Sequence, residues 1–473
     1  MANTDGSPHV DEVNISVYLN HGPDFDDKKS PEDLFSASNS MGKPISMEVY
    51  SSINSMYRYG TITFQDNIGI RETLPLTGNE ILTVLYKNTI TGSETSITGR
   101  LIHFNIVNIE EIQLKPASSK DERFTYKGLK FHIIEAPFFL KYNKFNIQRV
   151  FGKDLGNGVI EAPKINEIIE SVLLDDVKIN EKIFNIDFHE MTKNVFRVSC
   201  PNWRPQQFFK YLLEYARDSE NNGNVKLFTS SNPETGLINI NLKSILGMYK
   251  KPNRDKIFEY SLVDESTLKQ YEAGVSLPFS TRNINTIYYY KFLTYDLTTV
   301  SSGLAGGTLY NYDYSNGYYT LHDTYTNSNK NNKYFTNFAI WSDSISDWKS
   351  KAYYLGSLPE TVGRNYLNNR ITEHQNQVRC MAMTMINEEI EVGDVVFISF
   401  MSGMTSFLQG QQHLLDEQMS GGWLVEDVVD VVNYGKGYRK YVLVKDSFFN
   451  IYEPDVGNKK NNLPQATSVT KEG

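Results

Sequence analysis

The chain repeats itself at long range. "TGNEILTVLY" (77–86) runs from a glycine through alternating apolar positions to an aromatic, and "EVGDVVFISF" (391–400) does the same, with Gly393 lying 315 residues after Gly78. Two further pairs follow in the same order. "TGRLIHFNIVNIEEI" (98–112) answers to "GGWLVEDVVDVVNYG" (421–435), and "YKGLKFHIIEAPFF" (126–139) answers to "GYRKYVLVKDSFF" (437–449). Apolar residues at every second position line one face of a strand, so each trio reads as three strands with a face to bury. A chain that carries such a unit near each end is constrained to build two like β-domains.

The neighbouring residues extend both units. "VNISVYL" (13–19) alternates, and a polar, Pro-bearing stretch at 20–44 then reads as a long surface loop. "ISMEVYSSI", "YGTITFQD" and the trio at 77–139 give five or six antiparallel strands, enough for a small barrel or sandwich. Near the other end "RCMAMTMI" precedes the second trio.

Between the two units the period changes. In "PKINEIIESVLLDD" (163–176), Ile165, Ile168, Ile169, Val172 and Leu173 fall on one helical face. "NWRPQQFFKYLLEYARDS" (202–219) predicts a second helix, with Pro205 in its first turn and Phe208, Leu212, Tyr215 and Ala216 as its buried stripe. Residues 224–241 read as a hairpin, short helices are expected near "SDSISDWKSKAYY" and over 359–379, and the 454–473 tail has too little to bury to order itself.

The expected fold is mostly β, α+β overall. A first β-barrel domain spans 13–145, an α+β middle domain 146–281, a Tyr/Asn-rich β insertion domain 282–360, a second β-barrel domain 361–453 and a disordered tail 454–473.

Composition narrows the function. The 473 residues are 40% hydrophobic and 22% charged, a globular balance that needs no disulfide staples. The net charge is −9 and the 47 basic residues are scattered, which argues against tight nucleic-acid binding but lets DNA pass nearby. Cys200 and Cys380 read as small buried hydrophobes. "MANTDGSPHVDE" lacks the pattern of a signal peptide, and no apolar run approaches ~18 residues. Synthesis and assembly in a host cytoplasm, without membrane insertion, are the expectation.

No catalytic or metal-binding motif is complete. "HEMTK" (189–193) has Lys193 where a zinc helix needs its second histidine. "GNGVIE" (156–161) places Glu161 where a dinucleotide loop needs glycine, and Gly317 of "NYDYSNG" comes one place late for a calcium loop. "DFDDKK" (24–29) reads as a solvated charge run, and no Gly-x-Ser-x-Gly elbow occurs. No catalysis, cofactor or metal is expected.

The tyrosines are the candidate site. Aromatics make up 13% of the chain, with 30 Tyr, and Tyr310, Tyr312, Tyr314, Tyr318 and Tyr319 are interleaved with Ser, Gly and Asn as in adaptable recognition surfaces. They are read as interface residues. An alternative function makes the chain a glycan-binding or depolymerising virion protein built on β-domains.

Duplication has a consequence for symmetry. A cyclic trimer with two like domains per chain presents six similar lobes, which can mate with a sixfold object on one side and a threefold one on the other. In "YGTITFQD…TGNEILTV", "KINEIIESVLLDD", "QQFFKYLLEYARDS" and "VGDVVFISF…GGWLVEDVVDVV", the order of elements resembles the central baseplate hub protein of contractile-tailed, T-even-like bacteriophages. That resemblance covers nearly the whole chain. It implies a homotrimer in the virion tail baseplate, joining the tail tube or tube-initiator proteins to a trimeric central spike, touching surrounding baseplate proteins and enclosing a channel for DNA. The stretches 20–44 and 296–337 are larger than the family pattern calls for.

Overall fold

The computed structural model of the chain describes residues 9–20, 32–35, 42–66, 80–91, 99–114, 126–135, 145–154, 160–179, 184–188, 192, 198–219, 224–231, 237–250, 257–260, 265–272, 286–295, 307–313, 318–323, 350–355, 378–386, 390–400, 419–433 and 436–445. The first β-unit comprises β1 (His9–Asn20), β2 (Glu32–Phe35), β3 (Gly42–Ser52), β4 (Tyr59–Asp66), β5 (Ile81–Thr91), β6 (Gly99–Leu114) and β7 (Tyr126–Glu135). All its pairings are antiparallel, in the order β3-β4-β7-β6-β5-β1-β2. The stretch expected to be a loop at 20–44 therefore contains β2 and the start of β3. Its polar composition suits β2, which lies at the end of the sheet order.

Alternation in these strands does what period two requires. Ile62 and Phe64 of β4, Ile102, Phe104 and Ile106 of β6, and Leu129, Phe131 and Ile133 of β7 fill one core. The rings of Phe64 and Phe131 meet edge to face at 4.7 Å. Each such side chain contributes about 1.5–3 kcal/mol by leaving water.

The middle region supplies β8 (Val150–Phe151), β9 (Lys153–Asp154), β10 (Ile160–Glu161), α1 (Ile165–Ser171), β11 (Phe184–Asp187), β12 (Val198–Ser199), α2 (Pro205–Tyr215), β13 (Val225–Ser231), β14 (Ile238–Ser244) and α3 (Ile245–Lys250). Helix α1 continues into a wide π-type turn at Val172–Val177, and all five residues of its predicted face are buried. In α2, Pro205 opens the helix, and Phe208, Phe209, Leu212 and the following Ala216 are buried. The predicted hairpin is β13–β14, with β11 added in parallel to β14.

The remainder comprises β15 (Ile257–Tyr260), α4 (Glu265–Glu272), β16 (Thr286–Ile287), β17 (Tyr289–Tyr295), β18 (Gly307–Asp313), β19 (Tyr318–Asp323), β20 (Ser350–Leu355), β21 (Val378–Met385), β22 (Val395–Ile398), β23 (Gly421–Asn433) and β24 (Lys436–Lys445). A helix was expected near 342–354, but Ser350–Leu355 is a strand parallel to β18. The aromatic and small residues of "SKAYYL" fit a pleated surface, and tertiary pairing overrides their weak helical pattern. The helix expected over 359–379 falls outside the described residues except for Val378 and Arg379, which lie in β21. The tail lies wholly outside them.

The second β-unit runs β17-β21-β24-β23-β22, all antiparallel. Its chain order and sheet order match those of β3-β4-β7-β6-β5 strand for strand. The duplication legible in three strands thus extends to five. Both long fourth strands carry a bulge in the same place, where register shifts between Ile106 and Asn108 in β6 and between Val425 and Asp427 in β23. From that mark, Ile106–Ile133–Gly60–Val49 crosses the first sheet as Val425–Leu443–Cys380–Phe292 crosses the second.

Matching the strands by sequence alone sets Ile102 against Val425, whereas the bulge sets Ile106 there. An even-numbered slip preserves which face is apolar, so alternation could not detect it.

Gly393, in the motif shared by the two units, has φ +85°, and a Cβ there would meet the Phe228 ring of β13 at 2.7 Å. The Gly393 amide donates to the Val425 carbonyl at 2.9 Å, and the Val425 amide donates to the Asp394 carbonyl at 2.9 Å. The turn thereby locks β22, β23 and the middle region together. Gly393→Ala should lose about 2–4 kcal/mol, combining left-handed backbone strain with overpacking. Urea unfolding of the variant beside the native chain measures this.

Candidate assembly interface

A lateral seam joins the two like sheets. Residues 427–433 of β23 pair with residues 46–52 of β3, from Asp427 opposite Ser52 to Asn433 opposite Ser46. On the same side of β23, residues 421–424 pair with β22, so its two segments serve two neighbours. Among the described residues, fourteen strands are connected in this one sheet.

The bulge residue Glu426 latches the seam. Its carbonyl accepts from the Ile53 amide at 3.0 Å, its Oε1 accepts from Asn54 Nδ2 at 3.0 Å, and its carboxylate pairs with Arg379 of β21. Beside it, burial pushes the Asp427 carboxyl up from its ordinary pKa, opposed by a hydrogen bond with Ser52.

Two buried ion pairs flank the seam. Arg58, between β3 and β4, and Glu135, ending β7, are 1% and 0% exposed and pair at 2.7 Å. Glu135 Oε2 also accepts from the Arg58 amide at 2.9 Å and from Thr229 Oγ1 at 2.7 Å, while Arg58 Nη1 donates to Ser231 Oγ at 2.7 Å. The first sheet is thereby bolted to β13. Arg439 of β24 pairs with Asp430 of β23 and donates to the Ile390 carbonyl at 2.8 Å.

These residues escaped the sequence reading. Their signal was a charged side chain in an apolar row, as with Asp430 in "VVDVV". Buried charges of this kind are tolerated only when paired.

Burial shifts the two cysteines and His103. Both cysteines are free and buried, and burial holds their thiols above the usual range, Cys380 at about 12. Thr83 Oγ1 lies 2.9 Å from Nδ1 of the buried His103, whose pKa is lowered to about 4 by burial and by the nearby Arg58 charge. Among the described residues, no group of three or more His, Cys, Asp or Glu side chains is placed to hold a metal ion, and no helix is long and apolar enough to cross a membrane.

The tyrosine segment lies apart in sequence from the seam. β18 pairs antiparallel with β19, setting Tyr310 opposite Leu321, Tyr312 opposite Tyr319 and Asp313 opposite Tyr318. Tyr314 lies outside the described residues.

No family model matches the chain. The probable baseplate hub protein gp334 of Vibrio phage KVP40 is 22% identical over 436 residues, covering 86% of this chain and 90% of that protein. The chain resembles a phage baseplate hub protein. Similar solved structures include the 43 kDa tail protein of prophage MuSo2 from Shewanella oneidensis, at 8% identity and a TM-score of 0.48, with 92% of this chain and 98% of that one covered. The tail protein from Neisseria meningitidis MC58 has 8% identity and a TM-score of 0.46 over 93% and 98% of the two chains. The half-lidded Francisella PdpA-VgrG complex has 9% identity and a TM-score of 0.48, with 96% of this chain and 60% of that one covered. The coarse role carried by the curated relative is that of a structural protein in a phage tail. The resemblance read from the order of elements therefore holds for the hub-like chain.

The ion pair and the histidine each generate a measurable outcome. Arg58→Met leaves the Glu135 carboxylate buried without its partner and should cost about 3–5 kcal/mol, with part recovered in an Arg58→Met, Glu135→Leu double variant; urea unfolding of the set checks this. For His103 the folded pKa lies below the ordinary 6.5, so the unfolded chain binds more protons between pH 6.5 and about 4. Stability should fall as pH drops through that window, by about 3 kcal/mol from this group. His103→Gln should remove that share of the slope in denaturant midpoints measured across the window.

Proposed function

We propose that the hub-like chain is the structural hub of a phage tail baseplate, working as a homotrimeric ring with pseudo-sixfold symmetry and no catalytic role. One observation carries this reading: a five-stranded sheet of the same topology occurs twice in one chain, and the two copies are joined laterally. Three such chains arranged head to tail supply six like sheets, which continue a sixfold tail tube on one side and accept a threefold central spike on the other. The net charge of −9 suits a channel that DNA traverses without being held.

Tyr310, Tyr312, Tyr314, Tyr318 and Tyr319 are assigned to contacts with neighbouring subunits, the spike or surrounding baseplate proteins. That assignment rests on their interleaving with Ser, Gly and Asn. The particle's tail baseplate is the place of action, reached by assembly in the host cytoplasm.

Native mass spectrometry with negative-stain imaging of the same sample tests the ring. The expected result is a mass of three chains and six-lobed rings, formed by the chain alone or on addition of its spike. A strict monomer under both conditions would overturn it.

A further inference from the structure

A single residue of the middle region connects the two buried ion pairs that flank the seam. Asp430, opposite Val49 in the β23–β3 pairing, is paired with Arg439, and Arg439 Nη1 donates to the Ile390 carbonyl at 2.8 Å. The next residue, Glu391, accepts from the Ser231 amide of β13 through Oε2 at 3.5 Å. Ser231 Oγ in turn accepts from Arg58 Nη1 at 2.7 Å, and Arg58 pairs with Glu135 at 2.7 Å. Arg58 directly precedes β4, which pairs with β3. The polar contacts therefore run from the seam through the second sheet and β13 into the first sheet, and so back to the seam.

Period two lets β13 hold a different unit on each of its faces. Thr229 and Ser231 share one face, and Thr229 Oγ1 donates to Glu135 Oε2 at 2.7 Å beside the Ser231–Arg58 contact. Phe228 lies on the other, where its ring leaves no room for a Cβ at Gly393. The core under the second sheet contains Phe228 and also Ile53, the residue just after β3 whose amide donates to the Glu426 carbonyl at 3.0 Å. Helix α3 adds a further hold, with Tyr249 Oη donating to the Val444 carbonyl of β24 at 3.2 Å.

All these contacts depend on the position of one strand. Displacing β13 removes a hydrogen bond from each of Arg58, Glu135 and Glu391, which are all buried, and takes the Phe228 ring out of the core that Ile53 shares. A stranded buried charge is costly, so the losses on the two faces fall together.

We infer that β13 is a clasp on the seam. Seated, it holds the two sheets at a fixed spacing; displaced, it frees them to hinge about the β23–β3 ladder. A partner or load acting on the middle region then sets the spacing of the two like units. The clasp belongs to the single chain and goes beyond the hub reading, since it operates whether or not chains assemble.

Amide hydrogen exchange of the full-length chain, read by mass spectrometry, tests the clasp. Ser231→Ala acts on the contact with the first sheet and Phe228→Leu on the contact with the second unit, and neither residue is part of the seam ladder. Each variant should speed exchange of both the 46–52 and the 393–398 segments at least fivefold, while 62–66 and 129–133 keep their rates. With both substitutions the acceleration should fall short of the product of the two, because one seat is lost only once. Asn185→Ser, on β11 at the far side of the same three-stranded sheet, should change neither segment.

Reciprocity decides the outcome. If Ser231→Ala speeds only 46–52 and Phe228→Leu only 393–398, the two contacts are independent and the clasp is overturned. Acceleration of every segment alike, 62–66 and 129–133 included, is general destabilisation and overturns it as well. Should one variant fail to fold, the other still decides, because each must move the segment held by the opposite contact.

Discussion

A β-sheet edge leaves a row of backbone donors and acceptors without partners, and a large part of this structure is organised by where those edges are satisfied. The pairing of β23 with β3 joins the two sheets, and the core under the first sheet continues across the seam to Met383, Met385, Val431, Val432 and Tyr438 of the second. Its hydrogen bonds are local, but three buried charge groups hold it in register. Glu426 fastens the turn after β3, Arg58 with Glu135 anchors the first sheet to β13, and Arg439 with Asp430 stiffens the second sheet next to the seam. Removal of one partner from the Arg58–Glu135 or Arg439–Asp430 pair leaves a charge stranded away from water, whereas Arg379, the partner of Glu426, is one-third exposed.

The middle region works as a wedge between the sheets. β13 touches both: Thr229 and Ser231 receive the Arg58–Glu135 pair, and Phe228 packs against the turn at Gly393. This explains why the turn must be glycine on one unit whatever its counterpart requires. A duplicated fold does not remain symmetric once a third body packs on one copy, and the seam itself is asymmetric because it uses β23 and β3 and leaves β6 and β17 exposed.

Among the described residues no group of three or more His, Cys, Asp or Glu side chains is placed to hold a metal ion. Burial raises both thiols and keeps His103 neutral at ordinary pH. Polar groups here orient strands. The chain is similar to the probable baseplate hub protein gp334 of Vibrio phage KVP40.

Alternation in "YGTITFQD" and "GGWLVEDVVDVV", the helical stripe of Ile165 to Leu173 and the order of repeated strands determined the element types, the two like β-units and the α+β region between them. Those features are local, and period-two or period-3.6 burial writes itself directly into the residues. What only the tertiary structure decided was register and partnership. A slip of four residues leaves every apolar side chain on the same face, so the equivalence of Ile106 with Val425 had to come from the bulge. The Arg58–Glu135 pair joins residues far apart in the chain, and the seam depends on which edges meet; neither leaves a short-range trace, because backbone pairing is indifferent to side-chain identity.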